Sequence, residues 1–533
     1  MFNKGSGYMK IKRILGSLLS LGMLLSPMSV CADETTVAQS VDGNQLYTDI
    51  DSAWSAAQNG VSIVMTSDWG ISNCLTLDEG KEATIEMNGH SIYRADLSDM
   101  HPYGGVINLE DSSTLTLTGN KNPETTFNYV GHNMDASQDN TLTSGGLITK
   151  GVSEKGGALY MSESSKLVLD HVAIAGNEVE GSGEGGAIYM KKDCSCQLKN
   201  SLVTYNFGYD GGAIYVEGKN ANIALDNSSI SYNYASQRGG GIYSYNTNTQ
   251  ITMKNNSHID YSEAYKCGGG IDFEFSEFSI TSNDDKGVTS TNTISNNSSS
   301  YGGGISVCQN RLTTNSGTIS GITFDSNHAD YKTEASLINS NGKGGAIYIE
   351  QEDIMVSDCT LTNNTSLNYG GGIYIYNDEL TVKDCVIQSN TSAAGGGIYV
   401  NEHEDIILSG KNIISKNKRS DGNADDLMLD KSWSTTAYVM GDISPDSSIG
   451  IRTGDDGTTQ IGKNITYDPE DAVFLNDSGD YHIEYDNGKL YKREGLTGSM
   501  FGNGNTIIAA CVMAGIAVVG IAFLVYNKKK MTK

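Results

Sequence analysis

Apolar and polar residues alternate over short segments through the middle of the chain, and Gly, Asn and Ser separate these segments. Residues 211–238, for example, read GGAIYVEG, KNANIALDN, SSISYN and YASQR. None of the segments is long enough for a helix, and alternation with period two predicts strands, because successive side chains of a strand point to opposite faces. The pattern therefore predicts three short strands in this unit, joined by tight turns.

The same unit recurs along the chain at intervals of 25 to 29 residues, with two longer intervals. Each copy is marked by two or three small residues followed by an aliphatic residue, as in GGAIY or GGGIY. The copies begin at Gly156, Gly185, Gly211, Gly239, Gly268, Gly302, Gly344, Gly370 and Gly395. Three strands in a repeat of this length predict an all-β fold, a single-stranded parallel β-helix whose coils stack ~4.8 Å apart.

A second motif precedes most of the glycine motifs, an aliphatic or aromatic residue followed three positions later by asparagine. Its asparagines are Asn177, Asn206, Asn233, Asn297, Asn327, Asn364, Asn390 and Asn417. Asparagine tolerates the left-handed backbone of a tight turn and hydrogen-bonds to neighbouring backbone. We therefore expect these residues to form a buried structural ladder along the β-helix.

The strand after each glycine motif places its aliphatic residues on one face and its tyrosines on the other, as Ile373 and Tyr374 illustrate. With the aliphatic face inside, the tyrosines are predicted to form an outward ladder of Tyr189, Tyr215, Tyr243, Tyr348, Tyr374 and Tyr399. Tyrosine offers flat contact area and a hydroxyl, so the ladder is a candidate binding surface for a glycan or a protein. The alternative is cross-coil stacking that only stiffens the sheet.

Both ends of the chain resemble targeting segments. Residues 1–32 combine basic Lys10, Lys12 and Arg13 with an apolar stretch and a small-residue cleavage site, which is typical of a signal peptide. Residues 506–526 carry no charge over a length of about 30 Å, and a basic tail at 527–533 follows. The predicted protein is anchored in the cell membrane by one helix, with an extracellular ectodomain and a cytoplasmic tail.

The sequence between the two ends is predicted to contain a cap, the repeats, a second cap and a tether. Residues 33–103 are predicted to hold an N-terminal cap and the first coils, with a short amphipathic helix at 44–60. The repeats occupy 104–420, a C-terminal β cap occupies 421–490, and 491–505 tether the cap to the membrane helix. Caps are expected because an uncovered sheet edge invites aggregation.

The chain has 36 basic and 63 acidic residues and a net charge of −27. Without the eight basic residues of the signal and tail, the exported part carries −35, which argues against a nucleic-acid partner. No cofactor is predicted: the acidic surface would attract Ca²⁺, but no Ca²⁺-binding loop of the EF-hand or GGxGxDxUx type is present. We expect a monomer. Cys359 and Cys385 stand at equivalent positions of adjacent repeats and are expected to form a stacked thiol pair, with a disulfide as the alternative.

The pairing of GGAI with FxxN, to which FDSN at 324–327 conforms literally, resembles the repeat of chlamydial polymorphic outer membrane proteins. It is also similar to pectin-lyase-like proteins, whose β-helix is right-handed. The resemblance spans about residues 104–420 and implies surface display and adhesion. The chain departs from the chlamydial pattern in its predicted membrane helix at 506–526.

Enzymes of the pectin-lyase-like group would require clustered acidic residues. The best candidates are Asp272 and Glu274, which take outward positions at i and i+2 of one strand, at a separation near that of an inverting glycosidase pair. The alternative is an ordinary acidic patch. Three function classes follow: a non-catalytic, adhesin-like surface protein, which we favour; a polysaccharide lyase or hydrolase; and a passive stalk.

Overall fold

The computed structural model describes residues 36–494 apart from 98–100, 120–124, 131–140, 246–247, 285–290, 309–315, 331–341, 351–352, 377–378, 402–404, 431–437, 455–458, 467–473 and 478–480. These residues form an all-β fold in which nearly all strands pair in parallel with the equivalent strand of the next coil. This arrangement is a parallel β-helix, as the repeat predicts.

A regular coil contains four strands rather than the three predicted. Residues 211–238 fold as Ile214–Glu217, Ala221–Asp226, Ser229–Ser231 and Tyr234–Arg238. The additional strand follows the asparagine turn and is only two residues long in most later coils. Stacked coils therefore build four rows of strands, which we call sheets 1 to 4 in chain order within a coil.

Sheet 1 contains the strand that follows each glycine motif. Its strands are Leu75–Leu77, Ile107–Leu109, Leu159–Met161, Ile188–Met190, Ile214–Glu217, Ile242–Tyr245, Ile271–Glu274, Ile305–Cys308, Ile347–Glu350, Ile373–Tyr376, Ile398–Val400 and Leu427–Leu429.

Sheet 2 contains the second strand of each coil and extends to both ends of the fold. Its strands are Ala38–Ser40, Leu46–Tyr47, Ile63–Met65, Glu82–Glu86, Thr114–Thr118, Lys166–Asp170, Ser195–Lys199, Ala221–Asp226, Asn248–Lys254, Glu277–Ser282, Ser316–Ser320, Asp353–Ser357, Leu380–Lys383, Asp405–Ser409, Tyr438–Asp442, Thr459–Thr466, Tyr481–Asp486 and Lys489–Glu494.

Sheet 3 precedes the asparagine turn. Its strands are Trp69–Ile71, Ser91–Arg94, Leu147–Thr149, Ala173–Ala175, Leu202–Thr204, Ser229–Ser231, His258–Asp260, Thr293–Ser295, Thr323–Asp325, Thr360–Thr362, Val386–Gln388, Ile413–Ser415, Ser448–Thr453 and Phe474–Asn476. Strand Ser448–Thr453 also pairs with the last strand of sheet 1.

Sheet 4 follows the asparagine turn and is the shortest row. Its strands are Val152–Lys155, Glu178–Glu184, Phe207–Asp210, Tyr234–Arg238, Glu263–Ala264, Ser298–Ser299, His328–Ala329, Thr365–Ser366, Thr391–Ser392 and Lys418–Arg419. A separate antiparallel hairpin, Thr125–Asn128 with Thr141–Ser144, packs beside sheet 3.

The N-terminal helix spans Ile50–Gln58, within the predicted 44–60. Asp49 caps it, since its carboxylate accepts a hydrogen bond of 2.8 Å from the backbone NH of Ser52. The helix buries Ala53, Trp54 and Ala57 against the main core, and the Trp54 indole NH donates to the Thr76 carbonyl at 2.8 Å. It therefore covers apolar residues of the first coils.

At the other end the strands stop stacking in parallel. Lys489–Glu494 pairs antiparallel with both Thr459–Thr466 and Tyr481–Asp486. The predicted signal peptide at 1–32 and the predicted membrane helix at 506–526 lie outside the described residues, as do the tail and most of the tether. Between residues 36 and 494, no helix of the described chain has the length and hydropathy needed to cross a membrane.

The core consists of aliphatic residues stacked in register between coils. Ile188, Ile214, Ile242, Ile271 and Ile305 are consecutive partners in sheet 1, and all are fully buried. Burying one such side chain stabilises the fold by roughly 1.5–3 kcal/mol. Because the partners are identical in nearly every coil, the column fills the same volume at each level.

The glycine pairs have two distinct causes. The first glycine of each motif adopts a left-handed backbone, as Gly239 does at φ +61°, a conformation in which a side chain is strained. The second glycine lies against the next coil: a Cβ on Gly240 would be 2.3 Å from the Gly269 carbonyl oxygen and 2.5 Å from that of Glu263. At the glycine corner, therefore, the neighbouring backbone leaves no room for a side chain on the second glycine.

We expect Gly240→Ala to destabilise the β-helix by about 3 kcal/mol, because its methyl group clashes with two backbone carbonyls. Gly241→Ala is the matched control: its Cβ would approach one backbone oxygen, that of Gly270 at 2.6 Å, but other coils accommodate alanine at this third position, for example Ala213, so a smaller loss of about 1 kcal/mol is expected. Urea unfolding followed by circular dichroism measures both changes. Equal losses in the two variants would contradict the assigned role of the second glycine.

Candidate functional site

The six predicted binding tyrosines stack between coils in two clusters. Tyr189, Tyr215 and Tyr243 lie in one, together with Tyr160, and Tyr348, Tyr374 and Tyr399 lie in the other. Ring centroids of Tyr189 and Tyr215 are 5.1 Å apart with planes 6° apart, and those of Tyr374 and Tyr399 are 5.6 Å apart. Both clusters lie outside the main aliphatic core.

The expectation that these rings form an open outward surface is wrong, because none of the six is more than 6% exposed. Stacking covers the ring faces, and residues beside the glycine corner also pack against the rings. The ammonium of Lys155 lies 4.6 Å from the Tyr189 ring centroid, and the Tyr369 ring lies 4.6 Å from that of Tyr399. A ligand would have to displace these neighbours to reach the rings, and binding by them stays a prediction.

The hydroxyl groups of these tyrosines also have partners. Tyr399 donates to the Asp430 carboxylate at 2.5 Å, and Tyr189 donates to that of Glu217. Burial raises the pKa of both tyrosines above its ordinary value, and the neighbouring carboxylate adds to the shift. The hydroxyls therefore stay protonated and act as donors within the fold.

The two tyrosine clusters are separated by two coils in which Asp272 and Ser306 occupy the tyrosine position. Asp272 is fully buried instead of facing solvent. Burial raises its pKa to about 7, although Arg238 and Ser306 act in the opposite direction. Glu274, the other predicted catalytic carboxylate, accepts hydrogen bonds from Arg238 and from the Tyr243 hydroxyl. This carboxylate is thus already engaged in an ion pair.

The eight predicted asparagines form one buried series of hydrogen bonds. The backbone NH and the side-chain NH of Asn177 both donate to Oδ1 of Asn206 at 3.0 Å, and Asn206 repeats this pattern with Asn233. The series runs on through Asn297, Asn327, Asn364, Asn390 and Asn417, and it ends on the carboxylate of Asp426. Each turn thereby satisfies buried polar groups of its neighbour.

One level of this series has no asparagine. Ser262 links Asn233 to Asn297, with an NH-to-Oγ distance of 3.4 Å on one side and an NH-to-Oδ1 distance of 2.9 Å on the other. Serine has no side-chain NH to donate, and its bond to Asn233 is the longest in the series. The FxxN pattern misses this level because the motif there ends in serine.

We expect Ser262→Asn to stabilise the fold by about 0.5–1.5 kcal/mol, because it restores the missing hydrogen bond. The reciprocal variant Asn206→Ser is the control and should lose about 1–3 kcal/mol, since it leaves buried groups unsatisfied. The free energy of unfolding in urea measures both. A destabilised Ser262→Asn would show that this level has no room for the amide.

An exposed aromatic surface escaped the sequence analysis. Tyr205, Tyr232 and Tyr261 stack on three successive coils, with ring centroids 5.0 and 4.8 Å apart and planes within 7°. Beside them Phe207 stacks on Tyr234 at 5.7 Å. We call these five residues the corner stripe. Tyr232 is 45% exposed and Tyr261 is 47% exposed, so their rings are accessible from solvent.

The three tyrosines of the corner stripe are held in an unfavourable backbone conformation. Their φ angles are +53°, +54° and +48°, in the left-handed region that bulky residues rarely adopt. The equivalent position is Gly176 in the preceding coil and, in later coils, Asn296, Ser326, Asn363, Ser389 and Lys416. Glycine and asparagine tolerate this conformation best. Tyrosine costs roughly 1–2 kcal/mol here, and such strain is concentrated at functional sites.

Polar groups border the corner stripe. Asp260 directly precedes Tyr261, its carboxylate accepts a hydrogen bond from Ser229 at 3.4 Å, and partial burial raises its pKa. Glu263 is in register with Tyr234 and continues the second column of the stripe. At the N-terminal end Tyr129 lies 5.3 Å from Tyr205 and is buried, so this end of the stripe is closed.

A sequence signal for the corner stripe exists in retrospect. Tyrosine directly precedes the asparagine or serine of the turn in three consecutive repeats, in VTYN, SISYN and HIDYS. Period-two alternation predicts which face a side chain takes only within a strand, and it fails at a left-handed turn residue. It therefore does not predict that these tyrosines face solvent. The tertiary structure was needed to show that these rings, unlike the predicted six, face solvent.

The family model for the Chlamydia polymorphic membrane protein repeat matches residues 321–350 and 358–376. Each matched segment belongs to the repeated coils described above, and 321–350 includes FDSN and GGAIY. No curated protein and no solved structure matches the chain. The chain is a parallel β-helix repeat protein that resembles the chlamydial polymorphic membrane proteins, and this resemblance suggests a protein of the cell surface.

Proposed function

We propose that this chain is an adhesin-like cell-surface protein that binds a neutral, linear glycan through the corner stripe. The observation that carries the proposal is the stack of half-buried Tyr205 with exposed Tyr232 and Tyr261 in a strained backbone. Rings at successive coils offer a row of flat apolar faces along the β-helix axis. A chain of sugars laid along that axis contacts one ring after another.

The polar surroundings favour sugar over other partners. Asp260 and Glu263 supply carboxylates that accept hydrogen bonds from sugar hydroxyls. An anionic glycan would be repelled, because the chain carries a net charge of −27. Aromatic faces with a few convergent polar groups are the usual composition of a small-molecule site. A protein partner, the alternative within the same class, remains an outcome of the test.

In this proposal residues 1–32 direct export and residues 506–526 anchor the chain by one membrane helix. The region 33–103 covers the first coils, 104–420 form a right-handed β-helix of the pectin-lyase-like type, and 421–490 close its other end. The ectodomain is extracellular and monomeric. Binding requires neither a cofactor nor a catalytic step.

We expect the double variant Tyr232→Asn/Tyr261→Asn to weaken glycan binding by at least tenfold, because each lost ring removes on the order of 1 kcal/mol of stacking. Two later coils carry asparagine at this position, at Asn296 and Asn363, so the fold should be retained or stabilised. A glycan array with the detergent-solubilised full-length chain, followed by titration of the bound glycan, measures the effect. Tyr103→Asn removes an aromatic residue that is 46% exposed outside the stripe and should leave binding unchanged.

Two results would contradict the proposal. Glycan binding that survives in the double variant would remove the corner stripe from the site. Stripe-dependent cell binding that is abolished by protease treatment of the cells, with no glycan bound on the array, would identify a protein partner instead.

A further inference from the structure

The gap between the two tyrosine clusters contains a second grouping of reactive side chains. Tyr243 ends one cluster and Tyr348 begins the other. In the two coils between them, Asp272 and Ser306 replace the large rings. Cys267 and Cys308 lie in this gap, so two thiols and a carboxylate converge where aromatic stacking is interrupted.

The ligand atoms are close enough to share one ion. The two Sγ atoms and a carboxylate oxygen of Asp272 all lie within 4.8 Å of one another. Cys267 directly precedes the glycine corner, and Cys308 ends the sheet 1 strand of the next coil. The backbone of each cysteine is paired with the preceding coil: Cys267 pairs with Arg238, and Cys308 pairs with Glu274.

The Asp272 carboxylate is the independent observation that points to a ligand. Its exposure is 0%, and neither of its oxygens accepts a hydrogen bond. Arg238 and Ser306 lie near enough to favour its charged form, and the Ser306 hydroxyl is 3.1 Å from Sγ of Cys308. A buried carboxylate without a hydrogen-bond partner is costly unless a proton or a cation compensates it. Both oxygens are therefore available to a cation.

We propose that Cys267, Asp272 and Cys308 bind one divalent cation of the zinc type. Two thiolates and one carboxylate are ligands that Zn²⁺ accepts, whereas Ca²⁺ and Mg²⁺ require oxygen ligands. Binding releases one proton from each thiol to solvent and involves no change of oxidation state. Zn²⁺ then offsets two of the three ligand charges, and Arg238, which pairs with Glu274, lies beside the site. The ion links two coils at the level where ring stacking is missing.

The chain supplies its own control. Cys359 and Cys385 also stand at equivalent positions of adjacent coils, and each donates its SH to a backbone carbonyl, at 3.1 and 3.2 Å respectively. Both are buried in the aliphatic core. Among the described residues, three metal-binding side chains come together at Cys267, Asp272 and Cys308. Cys359 and Cys385 are not part of such a group. A thiol pair without a carboxylate should not hold the ion.

The test is titration of the reduced, chelator-treated full-length chain with Co²⁺, whose thiolate charge-transfer absorption reports cysteine ligands. We expect one Co²⁺ per chain, displaced by one Zn²⁺, and a higher melting temperature with Zn²⁺. Cys267→Ser and Cys308→Ser should abolish the charge-transfer band, and Asp272→Asn should weaken binding at least tenfold. Cys359→Ser/Cys385→Ser should bind like the unmodified chain.

Circular dichroism establishes whether each variant is folded. If a cysteine variant does not fold, the nearly isosteric Asp272→Asn variant provides the test. The proposal is overturned by a lack of stoichiometric binding, or by equal binding in the Cys308→Ser variant. It is equally overturned if mass spectrometry of the chain isolated without reductant shows Cys267 and Cys308 joined as a disulfide. Loss of metal binding with glycan binding intact would leave the role of the corner stripe untouched.

Discussion

Close approach of successive coils at the glycine corner is the constraint on which the rest of the β-helix depends. The second glycine of each motif leaves room for carbonyl oxygens of the neighbouring coil, and the first provides a left-handed backbone. Once the backbones are held at this spacing, asparagine side chains reach from one turn to the next and isoleucines stack in register. Each coil then satisfies the polar groups and covers the apolar groups of its neighbour, which no coil does alone.

The same constraint determines where chemistry can occur. Positions that face the core are mostly apolar, with exceptions such as buried Ser244, so charged side chains lie at the outer sides of the strands and at the turns. At one such position, Asp272 and Ser306 interrupt the tyrosine column, and two cysteines lie beside the Asp272 carboxylate. At another, tyrosine replaces the glycine or asparagine that a left-handed turn prefers. In both places the departure from the repeat is more informative about function than the repeat itself.

The tyrosines illustrate why face assignment is not the same as exposure. Alternation places Tyr215 and Tyr374 outside the aliphatic core, and the structure agrees. Alternation carries no information about the residues of the adjacent turn, and these residues, together with stacking between coils, cover the rings. Tyr232 and Tyr261, at a turn that alternation cannot describe, are the rings that reach solvent.

By itself the sequence determined the all-β class, the coil length, the N-terminal helix and the glycine and asparagine positions. The coil length and these positions can be read because the same residues recur at the same place in each repeat. The fourth strand of each coil, the serine level of the asparagine series, the burial of Asp272 and the exposed corner stripe were decided only by the tertiary structure. Each of these depends on what the neighbouring coil places against a residue. Contacts between neighbouring coils join positions about 25 to 40 residues apart, and a local sequence pattern does not predict them.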